Sequence, residues 1–292
     1  MGLIPILVLG YFFVAIPFWI AVEVVATRPG HRASWFPGAL WVGRGLALAG
    51  VAAGAFGATY GARDFWHDVW VQLKENYPAL LRGYRMTIIL TLLSFALAMA
   101  LGGLLALFRT AEWRVLRAAG GIYVEWFRNT PLLVQLFFLF FALPKLTLPV
   151  IGRPDWFLLS PFKAGLIGLT LYTAAYTAEA LRSGLLAVDK GQSEAARSLG
   201  LNYLQARFYV VVPQALRVSV PLLTSIFSAL FRNSALVSAI GVKELLQTAD
   251  NIQQNNFQTF ELFALAGVLY LSLTLPLAYA SNRLEHRVRR VR

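Results

Sequence analysis

The 292-residue sequence contains no cysteine. Disulfides, Cys-ligated zinc, iron–sulfur clusters and thiol nucleophiles are therefore excluded, although this leaves the compartment open. Charge is scarce. Only 14% of residues are Asp, Glu, Lys or Arg, against about 25% in an ordinary soluble domain. Acidic residues are the scarcer sign, 14 against 26 basic ones, for a net charge of +12. No G-x-x-x-x-G-K-[ST] loop is present; "VDKGQS" (188–193) and "IGVKE" (240–244) do not fit it, so the chain carries no nucleotide-binding loop of that kind. No Ser/His/Asp or paired-carboxylate arrangement points to hydrolysis, and the chain does not read as a catalyst by itself. His67 stands between Asp64 and Asp68 and reads as an interfacial side chain rather than a metal ligand. The N-terminus lacks the basic n-region and small-residue cleavage site of a secretory signal, so its first apolar run is expected to be a retained span.

What the chain has in excess is apolar sequence, 58% of its residues. That composition places it among polytopic all-α membrane proteins. A span needs about 20 mainly apolar residues, and the segments that qualify lie near 3–26, 38–60, 84–108, 122–143, 163–187, 213–231 and 259–281. The excess of Lys and Arg is read as setting orientation in a bilayer rather than as binding nucleic acid. Basic residues concentrate at 28–32, 109–117, 182–217 and in the tail from Arg283, which predicts an outside N-terminus and a cytoplasmic C-terminus. The expected organisation is extra N-terminal spans over 1–60, an extracytoplasmic linker over 61–82, a transmembrane domain over 83–285 and a basic tail over 286–292.

One polar stretch interrupts the apolar pattern, "EAARSLGLNYLQARFYVVVP" (194–213). The orientation places it in the cytoplasm. Asp189 is a good N-cap, and Gln192 three residues on fits a capping box. Glu194 and its alanines favour helix. Gly200 follows Leu199 where a left-handed C′ residue would end that helix. Asn202 can cap a second helix with Gln205 three residues on, and Pro213 fits a first turn. The sequence thus predicts a short cytoplasmic helix near 190–200, a glycine turn, and a second helix running into the membrane.

The spacing of Glu194-Ala195-Ala196, Gly200, Val210, Val212 and Pro213 resembles the EAA motif of bacterial ABC importer permeases. The likeness is not confined to that motif. "GYRMTIILTLLSFALAMALGGLLALFR" (83–109), "YVEWFRNTPLLVQLFFLFFALP" (123–144), "AYTAEALRSGLLAVDKGQSEAARSLGL" (175–201) and "FRNSALVSAIGVKELL" (231–246) resemble the polar amino-acid uptake branch of that family. The resemblance implies a type I importer fold with five core spans, here preceded by about two N-terminal ones. It implies a separate ABC ATPase subunit that binds ATP and Mg, with no cofactor on this chain. A second permease subunit, the same or related, and an extracytoplasmic amino-acid-binding protein complete the implied assembly in a bacterial inner membrane. Glu194, Ala195, Ala196, Gly200 and Pro213 would form the ATPase-coupling segment. An ATP-independent channel or ion-coupled transporter would share the hydropathy but would not need such a loop.

Ionisable and polar groups within spans tend to face a bundle interior or a polar path. Three clusters stand out. Glu125 and Arg128 stand three apart and are expected to pair, ahead of Asn129, Thr130 and Pro131. Glu179 and Arg182 repeat the spacing. Arg232, Asn233 and Ser234 have no carboxylate nearby in sequence, and a guanidinium suits a carboxylate ligand. The expectation is that Arg232 and Asn233 receive the α-carboxylate of an amino acid while Glu179 faces its ammonium. "RNTPL" (128–132) and "RNSAL" (232–236) read as two chemically similar sites. The aromatic run "FFLFF" (137–141) is expected to pack against lipid or the bundle rather than to form a gate.

Overall fold

A computed structural model describes residues 62–145 and 159–290. The spans expected at 3–26 and 38–60 lie outside these residues. The described residues form helices and no strand. Helix α1 is Ala62–Arg109, α2 Arg114–Asn129 and α3 Leu132–Phe137, the last continued by a π turn and a 3₁₀ turn to Lys145. Then come α4, Pro161–Leu186, and the short helices α5, Lys190–Ser198, and α6, Tyr203–Ala206. A π turn, Arg207–Val211, leads into α7, Val212–Asn233, and a 3₁₀ turn, Ser234–Ile240. Helices α8, Leu245–Asn256, and α9, Thr259–Arg290, complete the order.

Two compact units are distinguished. Among the described residues, one comprises 62–77 and 252–265. There Oε1 of the buried Gln72 accepts from Asn76 Nδ2 (3.0 Å) and Asn256 Nδ2 (2.7 Å), fastening the start of α1 to the end of α8.

The larger unit holds the remainder, 78–251 and 266 onward, and its chemistry is inverted relative to a soluble bundle. On α1 the fully buried residues include Thr87, Leu90, Thr91, Ser94 and Ala98, spaced three and four apart, whereas Leu92, Leu93 and Leu97 are about half exposed. Inward-facing small and hydroxylated residues with outward-facing leucines are the pattern expected where the solvent is lipid. Helix α4 carries it furthest. Thirteen of its residues are buried, nearly all Gly, Ala or Thr. At Gly184 a Cβ would lie 2.0 Å from Ser219 Oγ and 2.7 Å from Ala215 O, so only glycine permits this approach of α4 to α7. Ser219 Oγ seals the crossing by donating to Ala180 O at 3.2 Å.

Among the described residues, three helical stretches are long and apolar enough to cross a membrane: 67–109, 203–240 and 259–281. The expected span at 163–187 is a helix of the right length but is not among them. Its Gly, Ala and Thr content suits enclosure by other helices rather than contact with lipid. The expected stretch at 122–143 is long and apolar enough when its two helices are taken together, but it is not one straight helix. It is a pair of helices bent by 103° at Thr130–Pro131. Proline disfavours helical dihedrals in the residue before it, and Thr130 is extended (φ −108°, ψ 138°). The aromatic run after the bend divides its faces, Phe140 packing on the core cluster while Phe138 and Phe141 are about half exposed.

Candidate functional site

The polar stretch folds as its local chemistry dictates. Asp189 caps α5, but its Oδ1 accepts from Gly191 N at 2.7 Å, and the capping box expected with Gln192 is absent. Gln192 Oε1 instead accepts from Gln214 Nε2 at 3.2 Å, linking α5 to the start of α7. At the other end Gly200 has φ +91°. Gly200 N donates to Arg197 O (3.0 Å) and Leu201 N to Ala196 O (3.3 Å), the paired bonds of a Schellman turn. The second box is complete: Asn202 N donates to Gln205 Oε1 and Gln205 N to Asn202 Oδ1, both at 2.9 Å. Pro213 sits in the first turn of α7, directly after the π turn. A proline clashes with the carbonyl four residues back, and a widened turn relieves that clash.

The segment is anchored on one side and open on the other. Ala196 and Ala206 are buried, whereas Glu194 and Ala195 are exposed and Leu199 is 85% exposed. A cleft of about 500 Å³ runs alongside, lined among others by Thr110, Glu112, Asp189, Glu194, Arg197 and Arg207. Arg207 crosses its edge. The guanidinium donates to Tyr203 OH at 2.8 Å and to Thr110 Oγ1, which tethers the second helix of the segment to the end of α1.

The neighbour of that tether is Arg109, which pairs with Glu179 on α4. Glu179 also pairs with Arg182, as the spacing predicts. Two guanidiniums thus share one half-buried carboxylate. The adjacent residues Arg109 and Thr110 join α4 to the polar segment. Sequence reasoning read Arg109 only as an orienting charge; nothing local reveals a partner 70 residues away.

The pairing expected between Glu125 and Arg128 does not form. Glu125 Oε2 accepts from Asn129 Nδ2 at 3.0 Å, and the Arg128 guanidinium lies 5.5 Å from the centre of the Tyr176 ring. Thr130 Oγ1 donates to Trp126 O at 2.9 Å. The buried Gln135, which the sequence did not single out, serves the bend. Its amide donates to Phe127 O (3.1 Å), Thr130 O (3.0 Å) and Thr130 Oγ1 (2.7 Å), satisfying carbonyls that the broken helix leaves open. Its signal was present, an amide four residues after a proline in an apolar run.

Arg232 is exposed, and its Nη1 contacts Ser228 Oγ at 3.3 Å; among the described residues no carboxylate pairs with it. Asn233 is partly exposed, and Ser234 is buried with its hydroxyl on Phe231 O (2.7 Å). The two Arg-Asn clusters share a setting: α2 ends at Asn129 and α7 at Asn233, each with its arginine in the last turn and a hydroxyl residue next. A cation there complements the helix dipole.

The chain as a whole is similar to known proteins. A family model described as "Binding-protein-dependent transport system inner membrane component" matches residues 98–290. The chain is 34% identical to the "Probable glutamine ABC transporter permease protein GlnM" of Bacillus subtilis (strain 168), over 74% of this chain and 96% of the relative. It is 34% identical to the "L-cystine transport system permease protein TcyB" of the same organism, over 76% and 92%. Identity to the "Glutamine transport system permease protein GlnP" of Escherichia coli (strain K12) is 31%, over 77% and 97%. Among solved structures, a crystal structure of an amino acid ABC transporter with histidines matches with a TM-score of 0.65 at 32% identity, over 74% of this chain and 97% of that one. An inward-facing MetNI methionine ABC transporter matches in fold, with a TM-score of 0.57 at 22% identity, over 73% and 98%.

Proposed function

Because the chain belongs to the family of binding-protein-dependent transport system inner membrane components, we propose that it is a permease subunit of an ATP-binding-cassette importer for polar amino acids. The observation that carries this reading is the segment at 189–213, a helix, a left-handed glycine and a boxed second helix whose outer face is exposed. A separate ABC ATPase, holding ATP and Mg, docks on that face through Glu194, Ala195 and their neighbours. The relatives named as glutamine and cystine permeases support polar amino acids as the substrate class.

The assembly has a second permease subunit and an extracytoplasmic amino-acid-binding protein. The chain carries five core spans and has its N-terminus outside and C-terminus inside. The hydrogen bonds Gln192–Gln214 and Arg207–Thr110 give the docked ATPase two points of purchase, on α7 and on α1. Movement of α1 reaches Glu179 through Arg109. Substrate passes Asn129, Thr130, Glu179, Arg232, Asn233 and Ser234. Arg232 and Asn233 receive the α-carboxylate, and Glu179 receives the ammonium by exchanging one of its two arginine pairs for it. Donors and acceptors are both required because an amino acid brings both charges.

The test is purification of the chain with its partners and reconstitution in liposomes. The expected result is a co-purifying ATPase whose rate rises with binding protein and a polar amino acid, together with ATP-dependent uptake. A chain that carries amino acids with no ATPase present sinks the proposal. Wild-type uptake by both Arg232→Ala and Glu179→Gln sinks the substrate contacts alone.

A further inference from the structure

Glu244 is fully buried, and among the described residues no Lys, Arg or His forms an ion pair with it. A lone carboxylate inside a membrane bundle is costly unless several donors serve it. It lies just after left-handed Gly241, where the 3₁₀ turn Ser234–Ile240 ends and α8 begins. Three elements converge on its side chain. Oε1 accepts from Gln247 N at 2.9 Å, capping α8. Oε2 accepts from Tyr270 OH on α9 and lies 3.3 Å from Thr87 Oγ1 on α1. Thr87 Oγ1 also accepts from Leu245 N at 3.1 Å. Beside it, a Cβ on Gly83 would fall 3.1 Å from Glu244 O and 2.6 Å from Thr248 Oγ1, so α1 is pressed against the turn's backbone.

A helix cap alone needs only a short side chain such as Ser or Asp. A buried Glu that caps α8 and reaches two further helices does more. One cluster thus holds the C-terminal side of the 3₁₀ turn that follows Arg232 and Asn233. We infer that Glu244 is a positioning residue, a latch that fixes this turn to α1 and α9 and so sets where Arg232 and Asn233 stand during transport. The inference rests on the transport reading above. The latch works through hydrogen bonding. A glutamine still accepts from Gln247 N and donates toward Tyr270 and Thr87, whereas an alanine leaves Gln247 N and Tyr270 OH unserved and Thr87 Oγ1 held only by its own helix at Gly83 O.

The test uses the complex with its ATPase and binding protein in liposomes, and measures uptake per ATP hydrolysed. Amide exchange over 234–248 is followed in the same complex. In Glu244→Ala the ratio falls about tenfold or more while ATPase activity stays within about twofold; in Glu244→Gln the ratio stays within about threefold. A wild-type ratio in the alanine variant overturns the latch, and so does a glutamine variant that falls as far as alanine. A proportional fall of uptake and ATPase also overturns it, because that marks a merely structural role. Should Glu244→Ala fail to assemble, Tyr270→Phe and Thr87→Val each remove one partner and keep the carboxylate. Both are expected to speed exchange over 234–248 several-fold and lower the ratio; wild-type values overturn the latch. A wild-type complex without ATP-driven uptake overturns the transport reading beneath it, and wild-type uptake with unaffected variants overturns the latch alone.

Discussion

Replacing Gly200 with alanine isolates one physical quantity, the strain of a side chain at a left-handed backbone. Gly200 has φ +91°, and a Cβ built there meets nothing within 4 Å. No neighbour is displaced, so the penalty is confined to the backbone, about 1–2 kcal/mol for an L-residue in this region. That penalty falls on the Schellman turn that joins α5 to α6 and on nothing in the membrane. If the α5–turn–α6 unit must keep one geometry to transmit force, 1–2 kcal/mol biases it away from that geometry by a factor of about 5–30. The expected outcome is a complex that assembles and hydrolyses ATP, yet takes up about tenfold less amino acid per ATP. Asparagine tolerates the left-handed region far better, so Gly200→Asn should stay close to wild type. The assay is paired ATPase and uptake measurement in liposomes at matched complex content. Equal uptake per ATP for wild type, alanine and asparagine would refute the argument, as would alanine and asparagine failing alike.

Other consequences are simpler. Arg207→Met removes the tether to Thr110, so ATPase activity should persist while uptake per ATP falls; unchanged uptake would show that α1 is not moved through this contact. Glu179→Gln leaves Arg109 and Arg182 facing each other without a carboxylate, whereas Arg109→Gln leaves the Glu179–Arg182 pair intact. Thermal unfolding of the purified complex should therefore drop further for Glu179→Gln, and the opposite order would contradict the shared-carboxylate geometry. Gln135→Leu leaves the carbonyls of Phe127 and Thr130 without their amide partner. The expected loss is about 1–3 kcal/mol, read as a melting temperature lower by several degrees.

How much of this was legible in the sequence depended on how local the determining forces are. The polar segment at 189–213 was, because caps, boxes and left-handed glycines are decided within six residues. Asn202, Gln205 and Gly200 do what their spacing announced. The box expected at Asp189 failed because Gln192 found a better use across a helix boundary, on Gln214. The bend at Pro131 was underread for a different reason. The stretch 122–143 is apolar enough on average to read as one span despite Glu125, Arg128 and Asn129, but proline acts on the dihedrals of Thr130, which hydropathy does not record. Least legible were the pairings at long separation. The i,i+3 rule favoured Glu125 with Arg128 and Glu179 with Arg182 equally, and the bundle kept only the second. Tertiary position decided between them, with Tyr176 offering its ring face to Arg128 and α1 bringing Arg109 to Glu179.

The same distinction explains where force can travel in this fold. Beside leucine and phenylalanine packing, contacts among α1, α4 and α7 include close approaches of glycine, alanine and hydroxyl residues, as at Gly184 against Ser219. Those close approaches do not deform gradually, because no long side chain stands at them to take up slack, and the close-packed leucines around them leave little free volume. A displacement applied through Gln192 or Arg207 must therefore move whole helices rather than be absorbed beneath the segment. The places that can yield are those where the helical bond pattern is already altered: the π turn at Arg207–Val211, the bend at Pro131 and the 3₁₀ turn at Ser234–Ile240. Two of these adjoin an Arg-Asn-hydroxyl cluster, and the third lies within the polar segment 189–213. Under the transport reading proposed above, helices punctuated at those three points would convert motion at the polar segment 189–213 into altered geometry at the polar clusters. Stiffening the 3₁₀ turn or the bend should then slow uptake more than an equal perturbation in the middle of α4.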